Sequence, residues 1–149
     1  MSNYKTLVDV IIKDESKGTP CHEHILTLGE TPDFLIEHAG FPNLKLVIKA
    51  STIVKACFDH GMPPSLLKRL PDVIGSPKSL YKSATHSEDS VVVLTLERKG
   101  RSDAPIIIPI HREKRVGRGQ YNLVASIYAK EGPDPEDKWG KQGLLLHQF

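Results

Sequence analysis

The chain has 149 residues, 39% hydrophobic and 26% charged, which is ordinary for a soluble globular chain with a core of its own. Its formal charge of +2 neither requires nor excludes a nucleic-acid partner. No stretch is apolar enough to span a membrane, and the polar N-terminus excludes a secretory signal. We therefore expect a single domain over residues 1–149 that acts in a cytoplasm, its own or that of a target cell.

The first part of the chain predicts short strands and a helix. Thr6 to Lys13 and Glu23 to Leu28 alternate as strands do, and the turn-like residues between them predict a hairpin. A helix is expected to begin at Pro32 and to end at Gly40. Leu44 to Ala50 predicts a third strand.

The next segment predicts helices, after which the pattern changes to period two. Ser51 is expected to cap a helix from Thr52 to about His60, and Ser65 to Leu70 predicts another. Five strands are predicted after it: Lys78 to Lys82, Ser90 to Arg98, Pro105 to Arg112, Asn122 to Lys130 and, after a long loop over Gly132 to Gly143, Leu144 to Gln148. The sequence therefore predicts an α+β fold, with an N-terminal hairpin and short helices packed on an antiparallel sheet of four to five strands.

The stretch from Tyr121 to Lys130 combines an apolar face with a polar face. Strict alternation places Asn122, Ser126, Tyr128 and Lys130 on the same side of the strand. An amide, a hydroxyl, a phenol and an ammonium group aligned in this way can bind an anion. The alternative is an ordinary antiparallel strand with one solvated face.

A second candidate group lies at the end of the predicted helix before Gly61. Lys55 and His60 are separated by about 140° on a helical wheel, so they do not share a face. His60, however, lies at the helix end and can turn back toward the edge of a site. The alternative is an exposed histidine favoured there by the helix dipole.

Basic residues cluster late in the chain, around predicted turns. They are Arg98, Lys99, Arg101, Arg112, Lys114, Arg115 and Arg118. They either hold a nucleic-acid backbone or are the solvated ends of hairpins.

Neither the histidines nor the cysteines form a metal-binding pattern. His22 and His24 would share one face of a strand, but no third ligand follows at a suitable spacing. Cys21 and Cys57 form neither a disulfide framework nor a zinc motif. We therefore expect no metal and no cofactor.

Several segments together carry a resemblance to a known group of domains. In order they are LGETPDFL, IEHAGFP, LKLVIKASTIVKACFDHGMP, LLKRLPDVIGSPKSLYKS, SVVVLTL, APIIIPI, YNLVASIYAK and LLLHQF. This series resembles the phage-associated barnase/EndoU/colicin/RelE-like (BECR) nuclease domains, which are found at the C-termini of MuF-type phage head proteins and in polymorphic toxins. The resemblance covers most of the chain, although each motif is short.

The resemblance implies metal-independent cleavage of RNA, for example tRNA, in which the ribose 2′-hydroxyl attacks the adjacent phosphorus. The catalytic residues implied are His60, Lys55, Ser126 and Tyr128, with substrate binding by Asn122, Lys130, Arg98, Arg118 and His111. A second histidine is absent from the strand that carries Ser126, so His111 and Tyr128 are both candidates for the second proton-transfer role.

The resemblance also implies a toxin with a neutralising immunity or antitoxin protein as its partner. Two alternatives remain at this point. One is a non-catalytic module that binds nucleic acid or associates with the phage head on the same fold. The other is a different enzyme on a similar scaffold. The oligomeric state does not follow from the sequence.

Overall fold

The structure is a computed structural model, and it describes residues 3–18, 24–86, 88–100 and 103–149. Cys21, His22, Glu23 and Arg101, which figure in the predictions above, lie outside these ranges. The described helices are α1 (Tyr4–Ser16), α2 (Asp33–Ala39), α3 (Ala50–Val54), α4 (Pro64–Lys68), α5 (Leu70–Gly75) and α6 (Pro135–Lys141). The strands are β1 (Ile25–Glu30), β2 (Lys45–Lys49), β3 (Pro77–Lys82), β4 (Ser90–Lys99), β5 (Ala104–Val116), β6 (Gly119–Val124), β7 (Tyr128–Ala129) and β8 (Leu145–Gln148).

All eight strands belong to one sheet, which is larger than the four to five strands predicted. Its order is β1-β2-β6-β5-β4-β3-β8, and β7 pairs with β5 beyond the end of β6. The pairs are antiparallel except β2 with β6, which are parallel. The α+β class is therefore confirmed, with one parallel pair that local patterning did not predict.

The sheet curves strongly. Helix α2 connects β1 and β2 at one end of the strand order, yet it packs on β8 at the other end. The ring of Phe34 in α2 meets that of Phe149 edge to face, with centroids 5.2 Å apart. Only a curved sheet brings its two ends this close.

Each face of the sheet has its own core. Helices α1 to α5 cover one face, where Ile106, Ile108 and Ile110 of β5 are buried among helix residues. On the other face, Trp139 of α6 packs near Ile107 together with Tyr81, Val92 and Leu94. We call this second surface the α6 face.

The predicted N-terminal hairpin is wrong, because residues 4–16 form helix α1. The residues that α1 buries are Tyr4, Val8 and Ile11, which follow helical spacing, and the Tyr4 hydroxyl donates to the Leu67 carbonyl at 2.7 Å. Burial of this phenol raises its pKa. The exposed side of this helix also carries apolar residues, Leu7 and Val10, which is why the segment resembled a strand.

Two smaller predictions also need correction. The helix predicted over Ser65 to Leu70 is α4, which ends at Lys68, and α5 begins at Leu70 with Pro71 in its first turn, where a proline is tolerated. The loop predicted over Gly132 to Gly143 contains α6, whose first turn is capped by the Asp134 carboxylate, which accepts from the amide of Glu136 at 3.1 Å.

The predicted strand from Asn122 to Lys130 is interrupted. Val124 pairs with Ile110 of β5, and Tyr128 pairs with Ile107. Tyr128 lies four residues after Val124, whereas the two partners are only three residues apart, so this strand contains one extra residue. A one-residue shift exchanges the two faces, and Val124 and Ile127 accordingly both point to the helices. Strict alternation therefore assigned the wrong faces to this stretch.

The sequence predicted no segment that could span a membrane. Of the helices in the described ranges, none combines the length and the apolar character that crossing a membrane requires.

Candidate functional site

The helix that carries Lys55 and His60 ends in a wider turn than an α-helix. Residues Lys55–Asp59 form a π-turn, and the His60 amide donates to the Lys55 carbonyl at 3.0 Å. Because this bond spans five residues, His60 lies about one turn beyond Lys55, on the same side of the helix. The 140° separation expected for a regular helix therefore does not apply.

The His60 side chain is oriented by a backbone carbonyl in the interruption between β6 and β7. Its Nδ1 lies 3.0 Å from the carbonyl oxygen of Ile127. A carbonyl oxygen only accepts, so Nδ1 carries the proton in this bond and the neutral ring presents Nε2 as an acceptor. Among the residues that the structure describes, Nε2 has no hydrogen-bond partner.

The helix end is held against the sheet at a second point. The Lys99 ammonium, at the end of β4, donates to the His60 carbonyl at 3.3 Å. The bond to Ile127 places the His60 side chain beside the segment that carries Ser126, one residue earlier in the chain. The Lys55 side chain is exposed and has no ion pair or hydrogen bond with a described residue.

Tyr128 lies beside His60. The two rings are 5.7 Å apart between centroids and inclined by 63°. Tyr128 is half-buried near the α6-face core, and this burial raises the pKa of its phenol, so the hydroxyl stays protonated at neutral pH. Ser126 is half-buried within the strand interruption and forms no hydrogen bond with any described residue.

Asn122 does not belong to this site. Its side chain is fully buried on the helix side of the sheet, where its amide nitrogen donates to the Thr31 hydroxyl at 2.7 Å and to the Pro42 carbonyl at 3.0 Å. Its amide oxygen accepts from the backbone of Glu113 at 3.0 Å. Its hydrogen bonds all hold the fold, so the predicted contact with a phosphate is wrong.

Arg98 and Lys130 meet at one cleft, as their predicted common role requires. The cleft has a volume of about 530 Å³, and Asp103, Glu131 and Asp134 also line it. Its charge is therefore mixed. The Arg98 guanidinium already donates to the Asp103 carbonyl at 2.8 Å.

A second cleft of about 510 Å³ connects this region with the helix end. Arg98 and Glu131 border both clefts, and Gly61 and Lys99 line the second. Since Gly61 follows His60 directly, His60 lies next to the rim of the second cleft. Arg118 lines neither cleft. It is exposed and lies in the turn between β5 and β6.

His111 lies in a polar cluster of its own on the α6 face. Its Nδ1 is hydrogen-bonded to the Ser90 hydroxyl, its register partner on β4. Burial lowers the pKa of the His111 imidazole, and the charge of Lys114 lowers it further. Asp89 and Lys114 complete the cluster. Asp89 was missed and the pairing of Lys114 with it was not predicted, because nothing local indicates which strands pair.

The family of the chain is shown by its match to a family model. Residues 53–148 match the model of the phage MuF C-terminal domain. The chain belongs to this family. No curated protein and no solved structure matches the chain.

The phage MuF C-terminal match covers the parts of the chain that form both histidine clusters. It begins within α3, includes His60, His111 and Tyr128, and ends with β8. It leaves out α1, α2 and the β1–β2 pair. In the described part of the domain, no group of three or more histidine, cysteine, aspartate or glutamate side chains is placed to hold a metal ion.

Proposed function

We propose that this phage MuF C-terminal domain is an endoribonuclease that cleaves RNA by attack of a ribose 2′-hydroxyl on the adjacent phosphorus. The observation that carries the proposal is the bond between Nδ1 of His60 and the Ile127 carbonyl. It orients the imidazole and leaves Nε2 as a proton acceptor on the residue that precedes Gly61, which lines the second cleft. A histidine held in this way suits general-base catalysis near neutral pH.

The proposed reaction is a transesterification whose nucleophile belongs to the substrate. His60 removes the proton of the 2′-hydroxyl, and the resulting oxygen forms a bond to phosphorus. The bond from phosphorus to the 5′-oxygen of the next nucleotide breaks, and that oxygen takes up a proton. The products are a 2′,3′-cyclic phosphate and a 5′-hydroxyl.

Tyr128 is the proposed donor of the second proton. Its phenol lies beside the His60 ring and stays protonated because burial raises its pKa. Lys55 supplies positive charge on the same side of the helix end as His60, where it stabilises the phosphorane. Ser126, in the strand interruption, donates a hydrogen bond to a phosphate oxygen.

Arg98 and Lys130 are proposed to hold the flanking backbone at their shared cleft, and Arg118 to hold it further along. The substrate is RNA, for example tRNA, in the cytoplasm of the producing or a target cell. The resemblance to toxins supports an immunity or antitoxin protein as the second partner. No cofactor takes part in the proposed chemistry.

The test uses the full chain, labelled RNA and EDTA, and maps any new ends. His60→Asn is the informative variant, because its amide nitrogen can still donate to Ile127 while the proton acceptor is lost. We expect cleavage to fall by about two orders of magnitude or more, with an unchanged melting temperature. His24→Asn, at an exposed histidine before β1, is the matched control.

Equal cleavage by His60→Asn and the parent chain would remove His60 from the mechanism. The second candidate function is a non-catalytic nucleic-acid-binding or head-associated module. The family match, which carries no activity, favours it. RNA binding without any new ends in the parent chain would establish that alternative.

A further inference from the structure

The cluster around His111 is separate from the His60 site and is not used by the proposed mechanism. Ser90 and His111 are direct register partners on β4 and β5. His111 lies four residues after Ile107 on β5, and the pairing with β4 has no shift between them. Since alternate residues of a strand share a face, His111 lies on the α6 face with Ile107. Trp139 of α6 packs around Tyr81, Val92, Leu94 and Ile107, and His111 is outside that group and half-exposed.

Three side chains of this cluster form a chain of hydrogen bonds. The Ser90 hydroxyl donates to Oδ1 of Asp89 at 3.3 Å and is also bonded to Nδ1 of His111. A serine hydroxyl has a single proton, and a carboxylate only accepts. The proton of Ser90 therefore goes to Asp89, and Nδ1 of His111 must be the donor to Ser90.

This chain fixes which nitrogen of His111 is available. With Nδ1 protonated, Nε2 carries a lone pair, and it has no hydrogen-bond partner in the described part of the molecule. The groups that face the ring are Asp89, Lys114 and His86, whose ring lies edge-on with centroids 6.2 Å apart. Burial and the Lys114 charge both disfavour the imidazolium, so His111 is a neutral acceptor at neutral pH.

The surroundings of His111 suit a nucleic-acid strand that extends from the His60 site. His111 pairs with Leu123 of β6, and Ile127, whose carbonyl holds His60, follows four residues later. The Cα atoms of Leu123 and Ile127 are therefore at most about 14 Å apart, a span that a few nucleotides of single-stranded RNA cover. Lys114 lies beside His111, where it is paired with Asp89, and the exposed Arg115 and Arg118 follow it in the β5–β6 hairpin, where they can contact phosphates.

From these observations we infer that Nε2 of His111 accepts a hydrogen bond from a ribose 2′-hydroxyl and so makes the domain prefer RNA to DNA. A neutral acceptor of fixed tautomer suits a hydroxyl and offers nothing to the deoxyribose of DNA. Asp89 and Ser90 act as positioning residues. The inference rests on the proposed RNA substrate but does not depend on cleavage.

The first experiment measures binding by fluorescence anisotropy in a His60→Asn background, so that the RNA stays intact. The probes are a short single-stranded RNA, its 2′-fluoro analogue and the DNA of the same sequence. We expect RNA to bind about three- to tenfold more tightly than either probe that lacks the hydroxyl, as one neutral hydrogen bond allows. His111→Asn retains a donor to Ser90 but has no Nε2, and it should abolish this preference while DNA binding stays unchanged.

The second experiment reads the tautomer of His111 directly by nitrogen-15 NMR. We expect protonated Nδ1 in the parent chain and a loss of this tautomer preference in Ser90→Ala. Ser79→Ala is the matched control, since Ser79 is another buried serine of the sheet and donates to Tyr81 instead. It should leave the His111 signals unchanged.

Equal affinity for all three probes, an unchanged RNA preference in His111→Asn, or protonated Nε2 in the parent chain would each overturn the inference. Failure of the proposed function looks different: the parent chain would leave RNA uncut while the RNA preference and its loss in His111→Asn remained. Tighter binding of DNA than of RNA would instead identify DNA as the ligand.

Discussion

The side-chain amide of Asn122 donates a 2.7 Å hydrogen bond to the hydroxyl of Thr31, although 91 residues separate the two in the chain. The Thr31 hydroxyl in turn donates to the Leu44 carbonyl. This buried group joins the start of α2, the start of β2 and the β5–β6 pair. It stands where the sequence predicted a ligand contact, and it explains why a polar residue occupies the helix side of β6.

Replacing Asn122 should therefore affect stability. Asn122→Ala removes three hydrogen bonds from a fully buried position, and it leaves the Glu113 amide and the Pro42 carbonyl without this partner. We expect the free energy of unfolding to fall by about 2–3 kcal/mol, measured by urea denaturation. Asn43→Ala, at an exposed neighbour, should stay within about 0.5 kcal/mol. An unchanged free energy of unfolding in Asn122→Ala would mean that water replaces the side-chain amide without loss of stability.

The Tyr128 hydroxyl should contribute to the rate of RNA cleavage and not to the stability of the fold. Tyr128→Phe keeps the ring beside His60 and removes only the hydroxyl. If this phenol donates the second proton, the cleavage rate falls by about two orders of magnitude while the RNA affinity and the melting temperature stay constant. Tyr81→Phe, elsewhere on the α6 face, is the control. An undiminished rate in Tyr128→Phe would leave Tyr128 with a packing role alone.

Stability should depend on the protonation of His111. Its pKa lies below the ordinary 6.5 in the folded chain, so the unfolded chain binds this proton more readily. The free energy of unfolding should therefore be highest above pH 6.5 and fall as the pH drops through the lower, folded value.

The measurement is urea denaturation between pH 7.5 and 5, in the parent chain and in His111→Asn. The variant should show a smaller fall over this range, and His24→Asn should follow the parent. The carboxylate of Asp89, whose pKa is lowered by the hydrogen bond from Lys114, stays charged throughout the range and does not confuse the comparison. An equal fall in parent and His111→Asn would assign the acid sensitivity to other groups.

Helix α6 should contribute to stability through the side chain of Trp139. Trp139 is only 8% exposed, and its ring lies 5.2 Å from that of Tyr81. Trp139→Ala removes the centre of the α6-face core and should cost about 3–5 kcal/mol of unfolding free energy. Lys138→Ala, on the exposed side of α6, should be neutral. A small loss in Trp139→Ala would mean that α6 is not required for the sheet.

The sequence by itself was sufficient for features that depend on neighbouring residues. The strands predicted after Lys78 follow period two, and each of them contributes to the sheet, with the one over Asn122 to Lys130 divided into β6 and β7. The left-handed glycine at Gly40 ends α2, and Gly61 follows the helix that carries His60, as predicted. The α+β class followed from these local signals.

Only the tertiary structure decided which residues meet. One extra residue between Val124 and Tyr128 exchanged the faces of the predicted ligand-binding strand and left Asn122 in the core. The register of β4 with β5 placed Ser90 opposite His111, and the π-turn brought Lys55 and His60 to one side of their helix. These arrangements depend on contacts between residues far apart in the chain and on single-residue shifts in register. Neither changes the local pattern of polar and apolar residues, so the composition of the site could be predicted in part, but its geometry could not.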